Sequence, residues 1–238
     1  MNDLSIILLC YKSESYAEQY LNKVQRSMQD NKIKSYDILL VGNYVKESND
    51  KTPVIVSKLA TDKEKVSALT MEKPDHGWLG WDVRQAFSKT NGKYIALIDG
   101  DGQMPADDIA KCYLFSRSSE TDITMTYRTT RGDGMYRKIL SHIYNLFMKL
   151  LFPRIRIQDI NSKPKVIKRE LIKQLNLKSN GWTIDAEIVL QAYKRQAKIR
   201  EIPTLFLGQP SDRKSFVGVK AIFEFIKFII SQRLFGIS

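Results

Sequence analysis

The chain has 238 residues, 43% of them hydrophobic, and a formal charge of +12; that length sustains one large domain with its own core. So strong a basic balance predicts a polyanionic partner: nucleic acid, an acidic membrane surface or phosphorylated small molecules. Cys10 and Cys112 lie far apart without metal-ligand spacing, which argues against a disulfide scaffold or a zinc site and for a reducing compartment.

The first residues, "MNDL", lack the basic flank of a secretory signal, and residues 5–10 are too short for its apolar region, so this run reads as a strand. No stretch reaches the ~18 consecutive apolar residues of a membrane-spanning helix. In chain order, the sequence predicts a strand over 4–10, a helix over about 14–28, a strand over 36–41, a short helix over 53–59 and a strand over 66–69. A helix over 81–88, a strand over 94–98, a helix after Pro105 and a strand over 123–127 follow. Near-continuous apolar strands separated by helices predict an α/β fold with a mostly parallel sheet covered on both faces. Ligands of such sheets bind beyond the carboxyl ends of the strands. From Arg128 to Lys178 there are 13 Lys or Arg against 3 Asp or Glu, +10 of the chain's +12. The positive field is concentrated there.

One strand end carries "DGDGQMP", residues 99–105. Asp and Gly tolerate tight turns, and a plain turn is one reading. An EF-hand loop is excluded, because its sixth and twelfth positions require Gly and Glu and here hold Met104 and Ala110. The third reading is a hard cation, Mg²⁺ or Mn²⁺, held by Asp99 and Asp101 with Gln103 as a neutral oxygen donor; such ions keep water and substrate phosphate in their remaining positions. A glycine between the carboxylates lets the backbone bend so that both converge.

"YIALIDGDGQMP" resembles the aspartate-x-aspartate motif of nucleotide-sugar glycosyltransferases with the GT-A (Rossmann-like) fold. More closely it resembles the dolichyl- or polyprenyl-phosphate sugar synthases, the dolichol-phosphate mannose synthase-like family, where the form is commonly Asp-x-Asp-x-Gln. Other segments agree in order. "LSIILLCYKSE" resembles the opening strand and nucleoside-holding turn, with Tyr11 and Glu14 matching. "YDILLVGNYVKESNDKT" matches the place where many members carry paired aspartates for base and ribose; Gly42 and Asn43 stand there instead. "GWLGWDVRQAF" resembles the segment near the diphosphate, which implies donor-binding roles for Gly80 and Arg84 beside Asp99. An ordinary helix start also accounts for Gly80.

"YRTTRGDGMYRKILSHIYN" resembles the segment that grips the lipid phosphate, where Arg128, Arg137 and Ser141 match and Arg131 is an addition; a solvated face is the alternative. "IQDINSKPKVIKRELI" resembles the family's segment in which an aspartate precedes a small residue and a returning strand, which makes Asp159 a candidate near the sugar. "WTIDAEIVLQAYKR" resembles a helix whose carboxylate faces the donor sugar. Glu187 matches the phosphate-using synthases, Asp185 the hydroxyl-using relatives, and two residues two apart do not share a helical face, so one of them is expected to point inward. With Asp101 and Asp159, these two complete the candidate catalytic set. "FLGQPSDRKSF" resembles a mobile loop, with Arg213 and Lys214 in place of its usual arginine.

The resemblance implies a metal-dependent, inverting hexosyltransferase that moves a sugar from a GDP- or UDP-linked donor to a polyprenyl phosphate at the cytoplasmic membrane face. A glycosyltransferase acting on a sugar hydroxyl in cell-surface polysaccharide synthesis is the alternative. A nucleic-acid-binding module is remote: it lacks an aromatic-basic platform and leaves Asp99 and Asp101 without a role. Residues 1–215 read as the catalytic domain, divided near 127/128 into a nucleotide and metal half and an acceptor half. Residues 216–238 read as an amphipathic helix, either packed on the core or lying in the membrane interface.

Overall fold

The computed structural model describes residues 2–75, 77–130, 152 and 156–208, together with positions 224, 225, 227, 228 and 230. Strands β1 (Leu4–Leu9), β2 (Tyr36–Val41), β3 (Val66–Leu69) and β4 (Tyr94–Asp99) alternate with helices α1 (Ser15–Asp30), α2 (Thr52–Asp62) and α3 (Leu79–Lys89). Then come α4 (Asp107–Ser119), β5 (Ile123–Thr130), β6 (Lys165–Lys168), α5 (Arg169–Gln174), α6 (Ile184–Lys194) and β7 (Ile199–Leu205). The seven strands form one sheet in the order β3-β2-β1-β4-β6-β5-β7. The first four run parallel. β6 lies antiparallel between β4 and β5, and β7 is parallel to β5.

The near-continuous apolar character of β1 and β4 follows from burial on both faces. Ile7, Leu9, Ile95 and Leu97 point to one side and pack with α3 and α6 through Val83, Phe87, Ile184 and Ile188. Ile6, Leu8, Ala96 and Ile98 point to the other and pack with α1 and α4 through Leu21, Val24, Ile109 and Tyr113. α1 buries Ala17, Tyr20, Leu21, Val24 and Met28 along one helical stripe. Each fully buried aliphatic side chain contributes roughly 1.5–3 kcal/mol over an exposed one.

The strand order reverses at β1, whose neighbours are β2 and β4. Such a switch point opens a crevice at the carboxyl ends of the two strands. In register, Leu9 of β1 stands beside Asp99 of β4, so the crevice opens on the acidic turn. β5 extends to Thr130, beyond the expected end at 127, and runs across the expected division at 127/128. Glu14, the expected first residue of α1, instead precedes it with φ 44°. Among the described residues, no helix is long and apolar enough to cross a membrane.

Candidate active site

The acidic turn is built by two glycines with different duties. A side chain on Gly100 would come within 2.7 Å of the Cys10 sulfur, so Gly100 lets the turn lie against the end of β1, where its N–H donates to the Leu9 carbonyl at 2.8 Å. Gly102 has φ +74°, a conformation that other residues rarely adopt. The freedom to bend between the carboxylates that the sequence suggested for Gly100 is a steric requirement; the unusual backbone is at Gly102. Asp101 Oδ1 accepts from the Gln103 N–H at 3.1 Å. The Tyr20 hydroxyl, reaching up from α1, donates to the Met104 carbonyl at 2.9 Å. Burial pushes the Tyr20 phenol well above its usual range, reinforced by Asp101, Asp99 and Asp108.

Asp99 is the half-exposed member of a charged cluster that is otherwise sealed. Its side chain is 39% exposed, and Lys163 Nζ approaches its Oδ1 at 3.4 Å. The same ammonium lies 3.0 Å from Asp185 Oδ2, while Lys165 Nζ sits 2.7 Å from Asp185 Oδ1 and donates to the Ser162 carbonyl at 2.6 Å. Burial alone raises the Asp185 carboxyl, but Lys163 and Lys165 outweigh it and hold the group below its ordinary value. Burial disfavours the Lys163 ammonium, and Asp185 and Asp99 reverse that and raise it. Lys165 is lowered, by burial first.

Both carboxylates of α6 are buried, Asp185 at 2% and Glu187 at 4% exposure, which corrects the expectation that only one points inward. Residues two apart need not choose sides when the helix is surrounded; every residue from Ile184 to Ala192 is buried. Glu187 accepts from the N–H groups of Lys178 and Ser179, each at 2.9 Å. The loop so held meets α3. The carbonyl of Asn180 accepts from Trp78 and Trp81, and that of Gly181 from Gly80. A side chain on Gly80 would come within 2.4 Å of the Ser179 carbonyl oxygen. Arg84 donates to the Leu177 carbonyl at 3.5 Å and to Asn180 Oδ1. Gly80 and Arg84 thus both join α3 to the 177–181 loop.

At the ends of β2 and β3, Asn43 donates to Asp82 Oδ1 at 2.8 Å and accepts from the Met71 N–H at 2.8 Å. Lys73 pairs with Asp82 and lies 4.5 Å from the centre of the Tyr11 ring. Burial raises the Asp82 carboxyl despite Lys73 and Asn43. Glu14 is exposed, and its N–H donates to Thr52 Oγ1 at 2.9 Å.

On the other side of the switch point, Arg128 grips Asp159 with two parallel bonds, Nε to Oδ2 at 2.7 Å and Nη2 to Oδ1 at 3.0 Å, the bidentate geometry that fixes a guanidinium plane. Glu201 of β7 accepts from the N–H groups of Gln158 and Asp159. Arg131, Arg137, Ser141, Arg213 and Lys214 lie outside the described residues. Near the C-terminus, Glu224 Oε1 accepts from the Trp182 N–H at 3.2 Å and Phe228 packs against the core.

Residues 5–175 match the Glycosyl transferase family 2 family. The chain belongs to glycosyl transferase family 2. It is 25% identical over 209 residues to the low-salt glycan biosynthesis hexosyltransferase Agl6 of Haloferax volcanii, covering 85% of this chain and 47% of Agl6, so the chain spans about half the length of that relative. Identity to the undecaprenyl-phosphate 4-deoxy-4-formamido-L-arabinose transferase of Pectobacterium atrosepticum is 25% over 116 residues, 49% of this chain and 34% of that one. The crystal structure of glucosyl-3-phosphoglycerate synthase from Mycobacterium tuberculosis in complex with Mn²⁺ and UDP-glucose superposes with a TM-score of 0.73 at 14% identity, covering 100% of this chain and 80% of that one. The shared fold is the GT-A fold.

Within this family 2 domain, four residues of the site region escaped the sequence reading: Lys163, Lys165, Lys73 and Asp82. Lys165 carried a signal. It stands opposite Leu97 and two residues from Ile167 on β6, so a lysine occupies an apolar alternation position in a central strand. Lys73 and Asp82 lie outside any regular spacing, and only the fold brings them together.

Proposed function

We propose that this chain is a hexosyltransferase that takes a sugar from a nucleotide-sugar donor, with a divalent cation at the acidic turn, and delivers it to a polyprenyl phosphate. One observation carries the reading: "DGDGQ" sits at the switch point of the sheet, on the crevice between the carboxyl ends of β1 and β4. Asp99, Asp101 and Gln103 supply oxygen donors only, the set that suits Mg²⁺ or Mn²⁺. Among the described residues, no cluster of three or more His, Cys, Asp or Glu side chains competes for such an ion. Bound there, the cation supplies Lewis-acid neutralisation of the departing diphosphate and a template for it. Relatives support the chemistry: one is named a hexosyltransferase, another an undecaprenyl-phosphate transferase, and a protein of the same fold was crystallised with Mn²⁺ and UDP-glucose.

The remaining work falls to side chains. Tyr11, beside Lys73, offers a ring face to the nucleoside, and Asp99 and Asp101 face the phosphate end. Arg128, its guanidinium plane set by Asp159, offers the acceptor phosphate its remaining N–H donors. A phosphate monoester has a second pKa of about 6 and arrives ionised at neutral pH. Its oxygen attacks the anomeric carbon as the bond to the diphosphate oxygen breaks, with inversion and with no proton to remove.

That last point weighs against a sugar hydroxyl as acceptor. A general base must reach the proton it takes, yet Asp185 is locked between two lysines and Glu187 accepts two backbone N–H groups. In this reading the protein works at the cytoplasmic membrane face, attached peripherally through its basic field.

The test is a thermal-shift panel of UDP-, GDP-, CDP- and dTDP-sugars with and without Mn²⁺, followed by product analysis with a polyprenyl phosphate and with soluble sugars as acceptors. Metal-dependent stabilisation by one nucleotide class and a lipid-linked product are expected. Stabilisation by none of them, or transfer to sugar hydroxyls alone, overturns the reading.

A further inference from the structure

Two lysines and two carboxylates meet behind the acidic turn, and their charges balance only as a set. Lys165 and Lys163 both contact Asp185, which neutralises one of them. The second positive charge is balanced by Asp99, 3.4 Å from Lys163 Nζ. The Lys163 side chain is 4% exposed, and its ammonium is held by Asp185 at 3.0 Å as well as by Asp99. Asp99 therefore has two masters: an internal cation that cannot leave, and whatever cation arrives from the crevice.

We infer that Lys163 is a built-in counter-cation of the acidic turn, a positioning residue that keeps the divalent ion weakly bound until the nucleotide diphosphate supplies the missing negative charge. The inference rests on the metal reading above and gives it an order. Without nucleotide, a divalent ion at the turn meets Asp99 already shared with an ammonium, and repulsion from that ammonium lowers its affinity. With nucleotide, the diphosphate brings its own oxygens and charge, and the two ligands bind as a coupled pair. Coupling of this kind is reciprocal: each tightens the other by the same factor. Lys163 also touches both oxygens of the Asp99 carboxylate, at 3.4 and 3.5 Å, and so restrains it before any ion is present.

The experiment is direct Mn²⁺ binding, read from the free-ion electron paramagnetic resonance signal, on the full chain with and without UDP, GDP, CDP or dTDP. In the wild-type protein, the preferred nucleotide is expected to tighten Mn²⁺ by about tenfold or more, inside the usual range for coupled ligands. Lys163→Met is expected to bind Mn²⁺ alone about tenfold more tightly, roughly what Coulomb's law gives for removing a unit charge beside a divalent ion under strong screening. Lys163→Arg, which keeps the charge, is expected to stay near wild type. Asp185→Asn is expected to move the opposite way, because both lysines then bear on Asp99.

An unchanged Mn²⁺ affinity in folded Lys163→Met overturns the inference while leaving the metal reading intact, provided Asp101→Asn abolishes binding in the presence of nucleotide. If Lys163→Met fails to fold, the wild-type measurement decides: nucleotide tightening of less than about threefold overturns it. No Mn²⁺ binding with any nucleotide removes the metal reading and this inference together.

Discussion

At the end of β4, Asp99 is 39% exposed and belongs to a turn open to the crevice; across β6, Asp185 is 2% exposed and enclosed by two ammonium groups. Both are aspartates at the carboxyl-end side of the same sheet, and both were read as candidate catalytic or metal-binding groups. Their surroundings assign them different work. A carboxylate with solvent on one side can exchange water for a ligand at little cost, whereas one that is buried and paired is part of the scaffold, because removing its partners strands a charge in a poor solvent. The same contrast separates Arg128, tied to Asp159, from an arginine on a solvated face.

That contrast is tested most severely by Asp185→Leu. Two buried lysines would lose their common partner, and the substitution is expected to destabilise the fold by about 3–5 kcal/mol in urea unfolding; a loss near zero would mean that the lysines shed their protons freely and that the cluster is no scaffold. Asp101→Asn is expected to do the reverse. Unliganded stability should hold while transfer falls by about 10²–10³-fold, the scale of losing one electrostatic stabiliser of the transition state, and unchanged turnover in a steady-state assay removes Asp101 from the site. Gly80→Ala tells scaffold from ligand contact on α3. Its new methyl group would crowd the Ser179 carbonyl, costing roughly 1–3 kcal/mol by overpacking, so a lowered melting temperature is expected. Full stability with weakened donor binding would return Gly80 to the diphosphate.

The smallest effect concerns Asp122, part-exposed just before β5 in the second wing of the sheet, β5 to β7, as against the parallel wing β1 to β4. Burial alone would raise its carboxyl, but the Lys198 N–H and the Lys168 ammonium more than reverse this and hold it below the ordinary value. A carboxyl lowered on folding contributes stability that is present above its unfolded pKa and lost as pH falls through the folded one. The melting-temperature gap between wild type and Asp122→Asn should therefore be full at neutral pH and close on acidification below about pH 4. A gap that widens on acidification contradicts the assignment.

The parallel wing was legible because its physics is local. Apolar runs such as 94–98 announce strands buried on both faces, Pro105 opens a helix, and the glycines of the acidic turn mark where the backbone must bend or pack closely. The second wing was harder to read because its decisive interactions are distant in sequence. Lys163 and Lys165 were counted with a basic stretch as though solvated, yet they meet Asp185 some twenty residues on. Arg128 was matched to phosphate, and the 31-residue span to Asp159 that fixes its plane left no local mark. Spacing along α6 misjudged Asp185 and Glu187 because alternation assumes a helix with a wet side, and this helix has none from Ile184 to Ala192.

A backbone contact also joins the two wings at the turn itself. Just past β7, the Leu207 N–H donates to the Gln103 carbonyl at 2.9 Å. The acidic hairpin is thus braced from below by the Tyr20 phenol and from the side by the returning chain, like a shelf on two brackets. Severing the polypeptide before Leu207 would remove one bracket and leave a carbonyl seeking a new donor, so the sharpness of the carboxylate array depends on residues a hundred positions downstream of it.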